Sequence, residues 1–553
     1  MPQGVGSSNH LEQGEPYLQA LRSFVPQGRA LARFSYGCPG IQVTGGIVAG
    51  GMIEGSEGDM GQRWQILMAT VPFVERWRYT HDVAWARGIG LPFVAEVLEF
   101  WECWLVHNAT SGRFDDVNDE VSELGFFNEE RDSAWGEDYD TKRPHPLEKN
   151  PIQTLAFLRF LLKGALEMAA AITSPPPLEA PPSRCALWRK IQAGLANYSI
   201  EALAGGGANW ATPKPIYRCG LSGPAYYRTV HAMAPGTNAE ALDLEVGRNT
   251  LAWMSSWAEG NEFPFVYTAA VRVRYNVTEL LIQWESNLLG RVKMHYGQPG
   301  EIAPNYPPCD GQVERNGTSY IACMGMQDNL YMRDAGGGLE TIGATQSVND
   351  MLMQSWRDDV IELFPLIPNG SAASFGTLRA VGGFLVSAAR GEHGKVAAPV
   401  TVTSTVGGNA TVLAPWVGHG LSVKRAGDGA VIPANPIQTG AGLSYSFETT
   451  AGETFLLSAE NLKAVPRQPL KTGDDEAALP GTSQEDSSAP NKDVTQFIGD
   501  HNTQTGPIDA WTARWNGAVG EPTFRNALEH TEAIERTGLP TSYAVITRPV
   551  ALC

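Results

Sequence analysis

The chain has 553 residues, 43% of them apolar and 18% charged, with a formal charge of −18. Its length predicts roughly two to four domains, and its acidic balance excludes the basic face of a nucleic-acid-binding protein. No apolar run approaches about 18 uncharged residues, so no membrane span is expected.

In chain order, residues 1–58 are Gly-rich and aperiodic and are expected to be irregular. Met1–Gln19 has neither the basic region nor the apolar core of a secretory leader. The abrupt start is that expected of a shortened chain. From Met60 onward the pattern becomes helical. Trp64, Leu67, Met68, Val71, Val74 and Trp77 recur at helical spacing, with Pro72 positioned to kink the helix. Val94, Val97, Leu98, Trp101, Trp104 and Leu105 form a second apolar face. A third helix opens at Asn150-Pro151, where Asn suits the cap and Pro the first helical position, and it ends before the Pro-rich run at 174–182. Further helices are predicted at 187–203, 242–257, 265–275, 278–289 and 346–356. Long Gly, Pro and Asn-rich loops separate them. This texture predicts a mainly α fold, an (α/α)6 toroid barrel over 59–370 with chemistry on loops at one end.

Beyond Trp356 the period shortens. Alternating or β-branched runs at 361–366, 383–388, 396–405, 410–413, 443–449 and 454–458 predict a smaller antiparallel β-sandwich-like domain over 371–462. Residues 463–493 are rich in Pro, Ser, Asp and Glu and read as a disordered linker. The tail 494–553 holds one amphipathic stretch and is left unassigned.

Seven cysteines occur without a CxxC pair, which excludes zinc-ribbon and thioredoxin-like sites. Cys309 and Cys323 are the one tight pair, read either as a loop disulfide or as free thiols. Sequons at Asn108, Asn197, Asn276, Asn316, Asn369 and Asn409 lean weakly toward a secretory route. No phosphate loop, G-x-S-x-G elbow or H-E-x-x-H pair is present, so no cofactor or metal is expected.

Two features point to chemistry. Asp115, Asp116, Asp119, Glu120 and Glu123 crowd one segment after a helix, and crowding raises the pKa of a carboxyl. Glu340 follows three glycines, where backbone can approach a ligand closely. An inverting glycosidase needs one protonated carboxyl and one carboxylate about 6.5–9.5 Å apart, which these two segments could supply. The plainer readings are a solvated acidic loop and a Glu340 that stabilises a helix start. Among 15 Trp, those at helical spacing read as core, whereas Trp135 and Trp210 are placed in loops as sugar-stacking candidates. His231 reads either as a structural hydrogen-bonding residue or as a ligand.

Three stretches resemble glycoside hydrolase family 95 and the wider six-hairpin glycosidases. The first is Gly336-Gly-Gly-Leu-Glu-Thr-Ile-Gly-Ala-Thr-Gln-Ser-Val-Asn-Asp350-Met-Leu-Met-Gln-Ser355, followed by Asp359–Pro368 and Leu378-Arg-Ala380. The second is Phe100-Trp-Glu-Cys-Trp-Leu105, then Gly112, Phe114 and Asn118-Asp-Glu-Val-Ser-Glu123. The third is the Asn150-Pro151 helix. The resemblance spans roughly residues 60–460 and omits that family's N-terminal β domain. It implies release of a terminal α-L-fucose or related sugar with inversion, the general acid falling on Glu123. That family's base Asp falls on Leu339, with Glu340 beside it. Its Asn-x-Asn pair is replaced by the segment from Glu54 to Gln62. Asp119 is then the reserve acid and Asp59 the reserve base. Asn118, Asp59, Trp135, Trp210, His231 and Asn249 are the expected sugar-binding residues. The expected partner is an oligosaccharide or glycoconjugate. The altered elements keep open a sugar-binding relative without catalysis, and a phosphorylase or lyase on the same barrel.

Overall fold

The computed structural model describes residues 4–43, 47–48, 52–53, 63–119, 148–172, 184–198, 200–202, 207–210, 238–254, 263–288, 292–295, 298–302, 312–315, 318–321, 339–357, 359–416 and 418–460. The chain divides into two compact units, Met1–Asn461 with Thr547–Cys553, and Leu462–Ile546. All described residues lie in the first. The linker 463–493 and nearly all of the tail 494–553 form the second and lie outside the described residues.

The N-terminal segment is helical rather than irregular. Helices α1 (Glu15–Ser23) and α2 (Val25–Tyr36) each carry a Pro in the first turn, and α2 ends at Gly37 in the left-handed conformation. Gly28 is buried inside α2, where a Cβ would press on Gln42 O and Ile41. Leu18, Leu21 and Ala32 turn into the core.

Helix α3 (Gln65–Thr80) contains Pro72. A short turn, α4 (Val83–Trp85), capped by the Asp82 side chain, leads through a π turn into α5 (Leu91–Trp104). Helix α6 (Ile152–Ile172) packs against α3, α5 and α7 (Arg184–Gly194). Gly164 allows α3 and α6 to cross closely, since a Cβ there would collide with Val74. Gly40, at φ +84°, lets the loop after α2 lie on α5, where a Cβ would strike Phe100 N and Glu96 O. Phe73, Trp101, Phe157 and Trp188 are fully buried in this core. Helices α8 (Asn238–Met254), α9 (Phe263–Arg272), α10 (Val277–Leu288) and α11 (Leu339–Leu352) contribute a second core of Val246, Val266, Tyr267, Ala270 and Val271.

The predicted helix at 187–203 stops at Gly194. Residues Ile200–Ala202 instead pair antiparallel with Ala208–Trp210. Among the described residues the architecture is thus helices followed by antiparallel sheets.

The β part is a two-sheet sandwich that begins at Met353, not 371. One sheet runs in the order Ala373–Ala380, Phe384–Arg390, Val400–Ser404, Thr454–Glu460, Gly420–Arg425, Val431–Ile432. The other runs Met353–Gln354, Val360–Leu363, Gly408–Leu413, Gly442–Thr449, Asn435–Thr439, with one parallel pairing between Val360–Leu363 and Gly408–Leu413. Strict alternation explains the packing: Val400, Val402 and Ser404 face in while Thr401 and Thr403 do not. Val386, Val402 and Leu457 of one sheet share a core with Val412 and Phe447 of the other.

The sandwich is fastened to the helices by backbone hydrogen bonds. Gly382 N–H donates to Arg78 O at 2.8 Å and Arg379 N–H to Ser7 O at 2.8 Å. Arg78 also pairs with Asp359.

Candidate functional site

Where it is described, from Asp115 to Asp119, the acidic run lies in strands rather than a loop. Arg113–Asp115 pairs with Val106–Asn108 around Gly112, and Val117–Asp119 pairs with Glu148–Lys149. Between the strands, Asn150 N–H donates to Asp116 O at 2.9 Å, and Asp116 N–H donates to Asn150 Oδ1 at 2.8 Å. The run is therefore clamped to the start of α6.

Its three aspartates have different settings. Asp115 accepts hydrogen bonds from Lys149 Nζ at 2.8 Å, Asn150 Nδ2 at 2.9 Å and Asn108 Nδ2 at 3.1 Å. Burial pushes its pKa up, but these donors outweigh it and hold Asp115 below the usual carboxylate range. Asp119 has no exposed surface. It accepts from Arg63 N–H at 2.9 Å and from Thr154 Oγ1 at 2.6 Å, and Arg63 Nη1 lies 3.9 Å away.

Asp116 is equally buried. Its Oδ1 accepts from Trp104 Nε1 at 3.2 Å, while its Oδ2 meets no N–H or hydroxyl donor. Burial pushes its pKa well above the usual range, and the charge of Asp119, within hydrogen-bonding reach, adds to this. Arg63 and Trp104 pull only partly the other way. A buried carboxyl oxygen that no donor reaches is satisfied when it carries a proton and donates it.

An aromatic wall backs this pair. The Arg63 guanidinium lies 4.3 Å from the Trp104 ring centroid and 5.3 Å from that of Tyr36, and the two rings meet edge-on at 5.7 Å. The disulfide Cys38–Cys103 ties together the segments carrying those rings. Cys185 is also disulfide-bonded.

A second buried acidic centre lies between α9 and α11. Asp350 accepts from Arg272 Nε at 2.5 Å and from Gln346 Nε2 at 2.5 Å, one donor on each oxygen. Burial raises its pKa, and Arg272 and Gln346 oppose the rise. Ser7 Oγ donates to Gln346 Oε1 at 3.0 Å, bringing the N-terminal segment into this network.

Of the residues expected from sequence, Asp119 is in the first centre. Asn118 is in the same strand and Glu340 is in the first turn of α11, but neither side chain is described. Trp210 is placed at the end of a strand rather than in a loop. Asn249 is half-buried in α8, its Nδ2 beside Gly207. Glu123, Asp59, Trp135 and His231 lie outside the described residues, as do Cys309 and Cys323. Sequence reading named Asp116 only as one of a crowd and missed Arg63 and Thr154. Asp-Asp at 115–116 followed by Asp119 was the available signal.

Among the described residues no group of three or more His, Cys, Asp or Glu is placed to hold a metal ion, and no helix is long and apolar enough to cross a membrane.

No protein family profile matches the chain, and no curated protein is similar to it. Solved structures similar in part include two carbohydrate-acting proteins. A putative kojibiose phosphorylase from human microbiome is 7% identical with a TM-score of 0.35, over 78% of this chain and 56% of its own. A GH127 beta-L-arabinofuranosidase from Geobacillus Stearothermophilus T6 is 11% identical with a TM-score of 0.23, over 72% of this chain and 62% of its own. The chain thus spans less than two thirds of either. Likeness at these scores fixes neither the fold nor the reaction.

Proposed function

We propose that this chain is a glycoside-cleaving protein on an (α/α)6 barrel, releasing a terminal sugar such as an α-L-fucoside with inversion. Glu123 protonates the leaving oxygen, and Glu340 activates the water that attacks from the opposite face. Such a pair works at a separation of about 6.5–9.5 Å. Asn118, Asp59, Trp135, Trp210, His231 and Asn249 bind the sugar, the Trp faces stacking on its C–H surfaces.

The observation that supports this reading is the clamped acidic run. Four residues before Glu123, Asp119 is anchored to α6 by Thr154 and to the segment before α3 by Arg63. A general acid contributes only when held within hydrogen-bonding reach of the leaving atom, and a buried anchor next to it supplies that rigidity. Asp119 itself is committed to those two donors, which makes it the anchor and leaves the proton transfer to Glu123.

The test is a release assay on purified protein with α-L-fucosides, α- and β-galactosides and related oligosaccharides. Wild type is expected to release one sugar class. Glu123→Gln should lower kcat roughly 10²–10⁴-fold with the fold unchanged by circular dichroism. Near-normal turnover in that variant removes Glu123 from the mechanism. No release from any substrate by folded protein moves the reading to sugar binding without cleavage, and release that requires added phosphate moves it to phosphorolysis.

A further inference from the structure

The buried pair of the first centre has a role that the cleavage reading does not use. We infer that Asp116 is a positioning residue: its carboxyl donates a shared proton to Asp119 and so sets the strand that leads to Glu123. This rests on the proposed role of Glu123.

The geometry requires a donor at this place. Asp119 has no exposed surface, and it already accepts from Arg63 N–H and Thr154 Oγ1. Asp116 Oδ1 is occupied by Trp104 Nε1, and its Oδ2 is buried with no amide or hydroxyl donor. Two ionised carboxylates in contact without water repel, and an unmade hydrogen bond in a buried site is costly. One proton between them removes both penalties. Among the described residues, the charged and titratable groups on the elements packed here are Arg63, from the segment before α3, and Tyr36 of α2, which lies against the Arg63 guanidinium. Asp115 is turned away to Lys149. Among the described residues the Arg63 cation is then balanced by the one negative charge of the proton-sharing pair. Burial and the neighbouring charge both raise the pKa of Asp116, in agreement.

The sign of the linkage follows. A carboxyl with a raised pKa in the folded state gives stability that is complete below the unfolded pKa and is lost as pH rises through the folded value. Asp116→Asn keeps a donor toward Asp119 without the ionisation, while Asp116→Leu keeps the volume and removes the donor.

The experiment is urea unfolding of wild type, Asp116→Asn and Asp116→Leu across pH, with kcat and KM for whichever sugar is released. The unfolding constant of wild type relative to Asp116→Asn is expected to rise about ten-fold per pH unit above the usual carboxylate range, the signature of one proton. Asp116→Leu is expected to lose kcat at least ten-fold with KM little changed, and Asp116→Asn to restore it. A ratio flat with pH overturns the shared proton whatever the activity. A one-proton slope with no rescue of kcat by Asn overturns the positioning role alone. If the protein cleaves nothing, the cleavage reading fails, the positioning role fails with it, and the unfolding slope still decides the proton.

Discussion

The two buried acidic centres solve one electrostatic problem in opposite ways. At Asp350 a buried carboxylate has a donor for each oxygen, Arg272 and Gln346, both at 2.5 Å. At Asp116 and Asp119 two buried carboxyls lie near the guanidinium of Arg63, which comes only to 3.9 Å from Asp119. Burial raises the pKa of Asp116 and of Asp350 alike, but donors meet both oxygens of Asp350 and only one of Asp116. The lesson is that burial alone does not set the charge state. The supply of donors does.

The comparison can be broken by removing partners, beginning with the largest effect. Arg272→Met strands the Asp350 charge and should lower stability by about 3–5 kcal/mol, as for a buried ion pair that loses one member. Urea unfolding at neutral pH measures it. A cost under about 1 kcal/mol would mean that Asp350 is not held as an ion. Next is the covalent brace of the first centre. Cys38 and Cys103 are separated by 65 residues, and loss of a link closing such a loop should cost about 2–4 kcal/mol. Replacing both by Ser should also weaken the Tyr36–Trp104 wall, read as a change in tryptophan fluorescence. The smallest effect is expected at Thr154. Thr154→Val removes one donor from Asp119 and keeps the shape, at about 1.5–3 kcal/mol for a hydrogen bond to a charged group. Thermal melts of Thr154→Val beside Asp116→Asn check whether the two donors act on the same carboxylate, since their effects should then not add.

The legible and illegible parts of this chain divide on sequence separation. Apolar periodicity marked α5 and α6, because Val94, Val97, Leu98 and Trp101 recur within one element. Alternation marked the inner strands of the sandwich in the same way. It did not reveal α1 and α2, in a segment whose glycines mask the period although Gly28 serves close packing against Ile41. It could not reveal that 200–202 turns back on 208–210. In the site, proximity of Asp115, Asp116 and Asp119 in sequence exposed the crowding. Their different settings depend on Arg63, Trp104, Lys149 and Thr154, which arrive from three other segments. No local pattern carries that information, nor does it bring Ser7 to Gln346 across more than 300 residues.

The contrast between the centres is tested most directly by the carboxyl-carbon NMR spectrum of protein labelled at aspartate, titrated from pH 4 to pH 8. A protonated carboxyl resonance should persist at neutral pH, vanish in Asp116→Asn and survive in Asp350→Asn. Full ionisation of every aspartate at neutral pH, or loss of that resonance in Asp350→Asn, would contradict the assignment of the shared proton to Asp116 and Asp119.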